Sequence, residues 1–102
     1  GAIGIDVEFE DRRIGVSPSL LLRRMFSTEQ DAASCLERWS LVQLWTIKEA
    51  VLKASGYGLA GGLKNVALNR QRCSAECFGQ VYGITLLRWH QYLITIAAKA
   101  NV

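Results

Sequence analysis

From Arg38 to Ser55 the chain is built of good helix formers without glycine or proline, and Gly56, Gly58, Gly61 and Gly62 follow immediately. That juxtaposition dictates one long helix with an abrupt end, because glycine caps helices in the left-handed conformation and permits tight turns. Leu41, Leu44, Lys48, Val51 and Ala54 or Ser55 fall at helical spacing within it. Beyond the glycines the sequence reads as sheet. The candidate strands are Leu63 to Asn69, Ala75 to Phe78, Gln80 to Trp89 and Tyr92 to Ala98, with His90-Gln91 as the turn of a closing hairpin.

Ahead of the long helix, Ala2 to Glu8 is predicted to be a short strand. Ile3, Ile5 and Val7 alternate with Gly4, Asp6 and Glu8, the period that separates the two faces of a sheet. Asp11 to Gly15 reads as a charged loop. Ser17-Pro18 is an N-cap followed by proline at the first helical position, starting a helix that runs to about Met25. Ser27 with Gln30 has the capping-box spacing, so a second short helix is expected from there to about Cys35. The fold class is α+β: a small, largely antiparallel sheet packed against one long helix plus short helices.

At 102 residues the chain suits one domain, residues 1–102, with one core. Half of its residues are hydrophobic and its mean hydropathy is +0.13, apolar for a domain with so much surface, so part of that surface is expected to face a partner. Twelve Lys and Arg against nine Asp and Glu leave +3, spread without a basic run. An anionic ligand or an acidic partner fits this balance, and nucleic acid does not, since basic and aromatic residues are not interleaved. Cys35, Cys73 and Cys77 are too few and odd in number for a disulfide scaffold, which predicts a reducing, cytoplasmic setting. The one histidine, His90, reads as a turn or partner-facing residue. No apolar run is long enough to span a membrane. Gly1-Ala2-Ile3 carries neither a methionine nor the regions of a signal peptide, as expected of a trimmed start or a piece of something longer.

Two segments carry charge that a structural element does not need. Asp6 and Glu8 lie two apart on a strand and share a face at about 7 Å, the spacing of two oxygen ligands for one hard divalent cation. Glu49 is placed to supply a third. Trp45, Glu49 and Lys53 stand at i, i+4 and i+8 on the long helix with Lys48 beside them, so a carboxylate is flanked by two ammonium groups. A metal-bound diphosphate calls for that combination.

Together the segments resemble the two signatures of the 4'-phosphopantetheinyl transferases. Ile3-Gly4-Ile5-Asp6 fills the first, and Trp45-Thr46-Ile47-Lys48-Glu49-Ala50-Val51-Leu52-Lys53 fills the second without exception. Arg24-Met25-Phe26-Ser27-Thr28-Glu29 looks like the family's intervening segment, and Lys53 to Leu59 like its glycine-rich continuation. The resemblance is closest to the C-terminal half of the surfactin-synthetase-activating type, where Glu8 matches an additional acidic metal ligand.

The resemblance implies an enzyme that moves the 4'-phosphopantetheine arm of coenzyme A to a serine of an apo acyl or peptidyl carrier protein and releases adenosine 3',5'-bisphosphate. Asp6, Glu8 and Glu49 would hold Mg²⁺, and Lys48 and Lys53 the phosphates. Glu49, Glu29 or a water on the cation would take the serine proton. The serine-histidine motif that holds the nucleotide end in the longer enzymes is absent, as are the late segments of the short, trimeric holo-acyl-carrier-protein synthase. A homo-oligomer is therefore expected, a dimer first and a trimer second. The competing reading from another class is a catalytically silent half-domain that binds coenzyme A, a carrier protein or a partner chain. A magnesium-dependent hydrolase of another family is disfavoured because no histidine is positioned beside the acids.

Overall fold

In a computed structural model of the chain, residues 3–12, 15 and 17–100 are described. Ala2, the expected start of the first strand, and Arg13 and Ile14 of the charged loop lie outside them. The elements follow the order β1 (Ile3–Phe9), α1 (Pro18–Met25), α2 (Glu29–Leu36), α3 (Leu41–Ser55), two short 3-10 turns (Gly58–Gly61 and Leu63–Asn65), β2 (Ala67–Asn69), β3 (Ser74–Cys77), β4 (Gln80–Trp89) and β5 (Tyr92–Lys99). The sheet is antiparallel with strand order β1-β5-β4-β3-β2, so the first strand returns to pair with the last. The fold is α+β, as the sequence predicts.

Capping chemistry sets each helix boundary. The Ser17 hydroxyl accepts from the Leu20 N–H at 3.3 Å, with Pro18 opening α1. α2 is capped by Thr28, which accepts from the Asp31 N–H at 3.1 Å; the cap therefore sits one residue later than the Ser27 and Gln30 pairing predicts. α3 begins at Leu41 rather than near Arg38, because Ser40 and Gln43 close a reciprocal capping box at 3.1 and 2.8 Å. It ends where the glycines dictate, with Gly56 in the left-handed conformation. Leu63–Asn65, read as the start of a strand, is a 3-10 turn following the positive φ of Gly62, and only Ala67–Asn69 pairs with β3. Phe78 and Gly79 both have positive φ, the turn that matches the twist of a tight hairpin, and His90 occupies the exposed turn between β4 and β5.

α3 lies across the inner face of β1 and β5, and the core forms between them from Leu44, Ile47, Ala50, Val51, Leu52, Ala54, Ile84 and Ala97, closed on one side by Met25, Phe26 and Trp39. The approach at β1 is tight. A Cβ on Gly4 would stand 2.1 Å from the Ala50 carbonyl oxygen and 2.4 Å from the Ala54 nitrogen, so only glycine fits there. This contact turns the Gly4, Asp6 and Glu8 face of β1 inward and leaves Ile3, Ile5, Val7 and Phe9 exposed. Across the sheet they continue into Tyr92, Leu87 and Trp89, which is 62% exposed, making an apolar face three strands wide.

Lys48 is among the most buried side chains, at 1% exposure. Its ammonium donates to the carbonyls of Met25 at 2.5 Å, Val66 at 2.9 Å and Leu63 at 3.1 Å, and sits 4.0 Å from the centre of the Phe26 ring. One cation thus ties the end of α1 and the turn before β2 to α3. Burial pushes its pKa down to about 8, which leaves it protonated at neutral pH with three protons for three carbonyls. Lys48→Met is expected to strip all three acceptors and to cost about 3 kcal/mol or more of unfolding free energy, at roughly 1 to 3 kcal/mol for each buried group left unsatisfied. Urea denaturation checks this, and a loss under 1 kcal/mol would contradict the structural role.

Candidate active site

The inward face of β1 and one stripe of α3 bring the sequence-predicted acids and Lys53 together. Asp6 is 5% exposed. Its Oδ1 accepts from Lys53 Nζ at 2.8 Å and its Oδ2 from the Thr46 hydroxyl at 2.7 Å. Glu8, on the same strand face one pleat further on, accepts from Arg12 Nη1 with both oxygens, at 2.6 and 2.7 Å, and from Trp45 Nε1 at 3.3 Å. Trp45, Glu49 and Lys53 form the predicted stripe, and Trp45 is half-buried beneath the Arg12 guanidinium.

Glu49 makes the third carboxylate. Its pKa is raised, first by burial and then by the negative charges of Asp6 and Glu8, with Lys53 and Arg12 opposing. The four groups that shift it are the members of the same cluster, which places Glu49 within their field. Lys53 answers with a raised pKa, chiefly through its hydrogen bond to Asp6. Opposite Asp6 in register, Thr95 is fully buried, and its hydroxyl has no partner among the described residues.

Two sequence-predicted residues stand elsewhere. Lys48 is spent on three carbonyls, turned well around α3 from Lys53, and lines a cleft of about 320 Å³ with Phe26, Cys35 and Arg70. Glu29 is exposed at the first turn of α2, where it borders a largely apolar cleft of about 480 Å³ with Leu22, Phe26, Ala33 and Lys64. Neither cleft includes Asp6, Glu8 or Glu49. Thr46, Arg12 and Thr95 are contributors that the pattern of charges left out. Thr46 carried a signal, since a polar residue next to Trp45 falls on the side of the helix that meets β1. Arg12 and Thr95 carried none, because their nearness to the acids depends on the turn after β1 and on the pairing of β1 with β5.

The donor set is all carboxylate oxygen, the preference of Mg²⁺. Among the described residues no three of His, Cys, Asp and Glu are already arranged to hold a metal ion. Lys53, Thr46, Arg12 and Trp45 hydrogen-bond the carboxylate oxygens of Asp6 and Glu8. A cation held by these oxygens would have to displace Lys53 and Arg12, whose side chains are 48% and 42% exposed.

A family model of the 4'-phosphopantetheinyl transferase superfamily matches residues 2–98. The chain belongs to that superfamily, and its general chemistry is the transfer of phosphopantetheine. No curated protein matches the chain, and no solved structure matches it. Among the described residues no helix is long and apolar enough to cross a membrane.

The two acids carry opposite stability signs in the metal-free chain. Asp6→Asn is expected to destabilise by about 1 to 3 kcal/mol, since it weakens buried hydrogen bonds to a charged partner. Glu49→Gln is expected to stabilise at pH 7. A carboxyl whose folded pKa is raised favours folding below its ordinary range and loses that contribution as the pH rises through the raised value. The Glu49→Gln gain should therefore shrink as the pH falls toward 4. Thermal melts in the presence of a chelator at several pH values check both signs, and a destabilised Glu49→Gln at neutral pH would contradict the clustering.

Proposed function

We propose that this chain is the metal- and phosphate-binding half of a transferase that moves the phosphopantetheine arm of coenzyme A to a serine of an apo acyl or peptidyl carrier protein, with Mg²⁺. The observation that carries the reading is the Asp6–Lys53 pair with Glu8 on the same strand face and Glu49 within their field, in a chain of this superfamily. Asp6, Glu8 and Glu49 would hold the cation, which when bound neutralises and orients the diphosphate. Lys53 leaves Asp6 to bind a phosphate oxygen, a short move for an ammonium that is 48% exposed. Lys48 serves the same site from behind, by fixing the helix that carries Glu49.

The serine oxygen attacks the phosphorus that bears the pantetheine arm, and the bond from that phosphorus to the bridging oxygen breaks. Adenosine 3',5'-bisphosphate leaves with the electron pair. Of the candidate bases, Glu49 is favoured over Glu29, because it stands among the acids whereas Glu29 borders a separate cleft at the start of α2. The presence of Glu8 beside Asp6 supports assignment to the C-terminal half of the surfactin-synthetase-activating type. Cys35, Cys73 and Cys77 are free thiols, as suits a cytoplasmic protein.

The apolar outer face of β1, β5 and β4, on the reverse of the sheet from the acids, calls for a cover. We assign that cover to a second copy of the chain in a dimer, so that residues 1–102 act as one domain of a two-half assembly. Exposed Ile3, Ile5, Val7, Leu87 and Trp89 make a continuous apolar surface, the kind that marks association.

Incubation with coenzyme A, Mg²⁺ and a panel of apo carrier proteins is expected to add the mass of the arm to at least one carrier, and Lys53→Ala is expected to lower the rate by about tenfold or more. Light scattering on the same sample should show an assembly heavier than the 11.3 kDa chain. Val7→Glu should return it to monomer. A clean monomer with no transfer to any carrier would instead leave the silent half-domain as the account.

A further inference from the structure

We propose that Arg12 is a built-in counter-ion for the metal site, a positioning residue that occupies Glu8 until a divalent cation takes it and then turns its guanidinium to the phosphate ligand. The inference rests on the reading of Asp6, Glu8 and Glu49 as the cation-holding set. The geometry around Glu8 supports it. Arg12 Nη1 donates to both carboxylate oxygens, at 2.6 and 2.7 Å, and one of these also accepts from Trp45 Nε1 at 3.3 Å. A cation approaching Glu8 thus competes with a charge-assisted hydrogen bond at either oxygen.

The residue is placed to yield without being lost. Its backbone N–H donates to the Phe9 carbonyl at 2.9 Å, anchoring the turn at the end of β1. Its side chain is 42% exposed, while that of Glu8 is 12% exposed. The guanidinium carbon lies 5.6 Å from the centre of the Trp45 ring, so the aromatic face gives the cation a resting place when Glu8 is taken. Lys53 plays the equivalent part for Asp6. The charges decide the consequence: Asp6, Glu8 and Glu49 against Lys53 and Arg12 leave one net negative charge on the cluster, and removal of Arg12 leaves two. Arg12 therefore weakens binding of the bare cation and favours a cation that arrives with a diphosphate, for which the displaced guanidinium is a new partner.

The test counts bound Mn²⁺ through the electron paramagnetic resonance signal of the free ion, first alone and then with inorganic diphosphate, on the full chain. Arg12→Gln is expected to bind Mn²⁺ alone about fivefold more tightly, the scale of one unit charge removed at close range under water-like screening. The gain in Mn²⁺ affinity on adding diphosphate should shrink in that variant. Arg12→Lys, which keeps the charge, should stay near the wild type. Unchanged or weaker Mn²⁺ binding by Arg12→Gln overturns the inference. Glu8→Gln and Glu49→Gln separate the two levels of failure. If both weaken Mn²⁺ binding while Arg12→Gln is silent, only the role of Arg12 falls; if neither does, the metal-site reading falls with it.

Discussion

Everything in the site depends on how closely β1 can approach α3. Gly4 faces Ala50 and Ala54 across a gap that admits no side chain, and the two backbones come near enough there for a Cβ to strike the Ala50 carbonyl oxygen. That contact fixes which face of β1 turns inward. Two and four residues further along the same face, Asp6 and Glu8 are delivered to Thr46, Lys53 and Trp45. The same contact fixes what stays outside. With the glycine and the acids against the helix, Ile3, Ile5 and Val7 face away from it, and the strand exposes its apolar side. One small residue thus sets both the acidic cluster and the apolar surface on the reverse of the sheet.

The two lysines of the second signature show how helix geometry divides labour. Lys48 and Lys53 are five residues apart, which separates them by about 140° around an α-helix. They cannot serve the same face. Lys53 shares its stripe with Trp45 and Glu49 and reaches Asp6, whereas Lys48 points into the fold and ties three carbonyls from two other segments. A charged residue buried this deeply is stable only because each of its protons has an acceptor. The site is consequently held from behind by one cation and partly neutralised in front by two others.

Much of this was legible in the sequence. The glycine run after Ser55, the proline after Ser17 and the alternation in β4 and β5 act locally, and the elements they predict are present. The cap of α2 at Thr28 lies one residue beyond Ser27, and α3 starts three residues beyond Arg38, where the Ser40–Gln43 capping box closes. The orientation of β1 was not legible. Its alternation distinguishes two faces without saying which is buried, and the usual preference for apolar residues inside is reversed by the steric demand at Gly4. Lys48 was misplaced for a related reason: spacing puts it near the stripe, but the carbonyls of Met25, Leu63 and Val66 are brought to it by tertiary structure alone. Arg12 escaped notice because the turn that returns it to Glu8 has no sequence signature.

We propose that Asp6, Glu8 and Glu49 converge on one divalent cation that also holds the diphosphate of coenzyme A. Crystals grown with Mn²⁺ and coenzyme A test it directly through the anomalous signal of the metal. The account predicts one strong peak at about 2.2 Å from oxygens of all three carboxylates, bridged to the diphosphate, with Lys53 moved from Asp6 to a phosphate oxygen. A Mn²⁺ peak that excludes Glu49, or a diphosphate bound away from this face of α3, would contradict it.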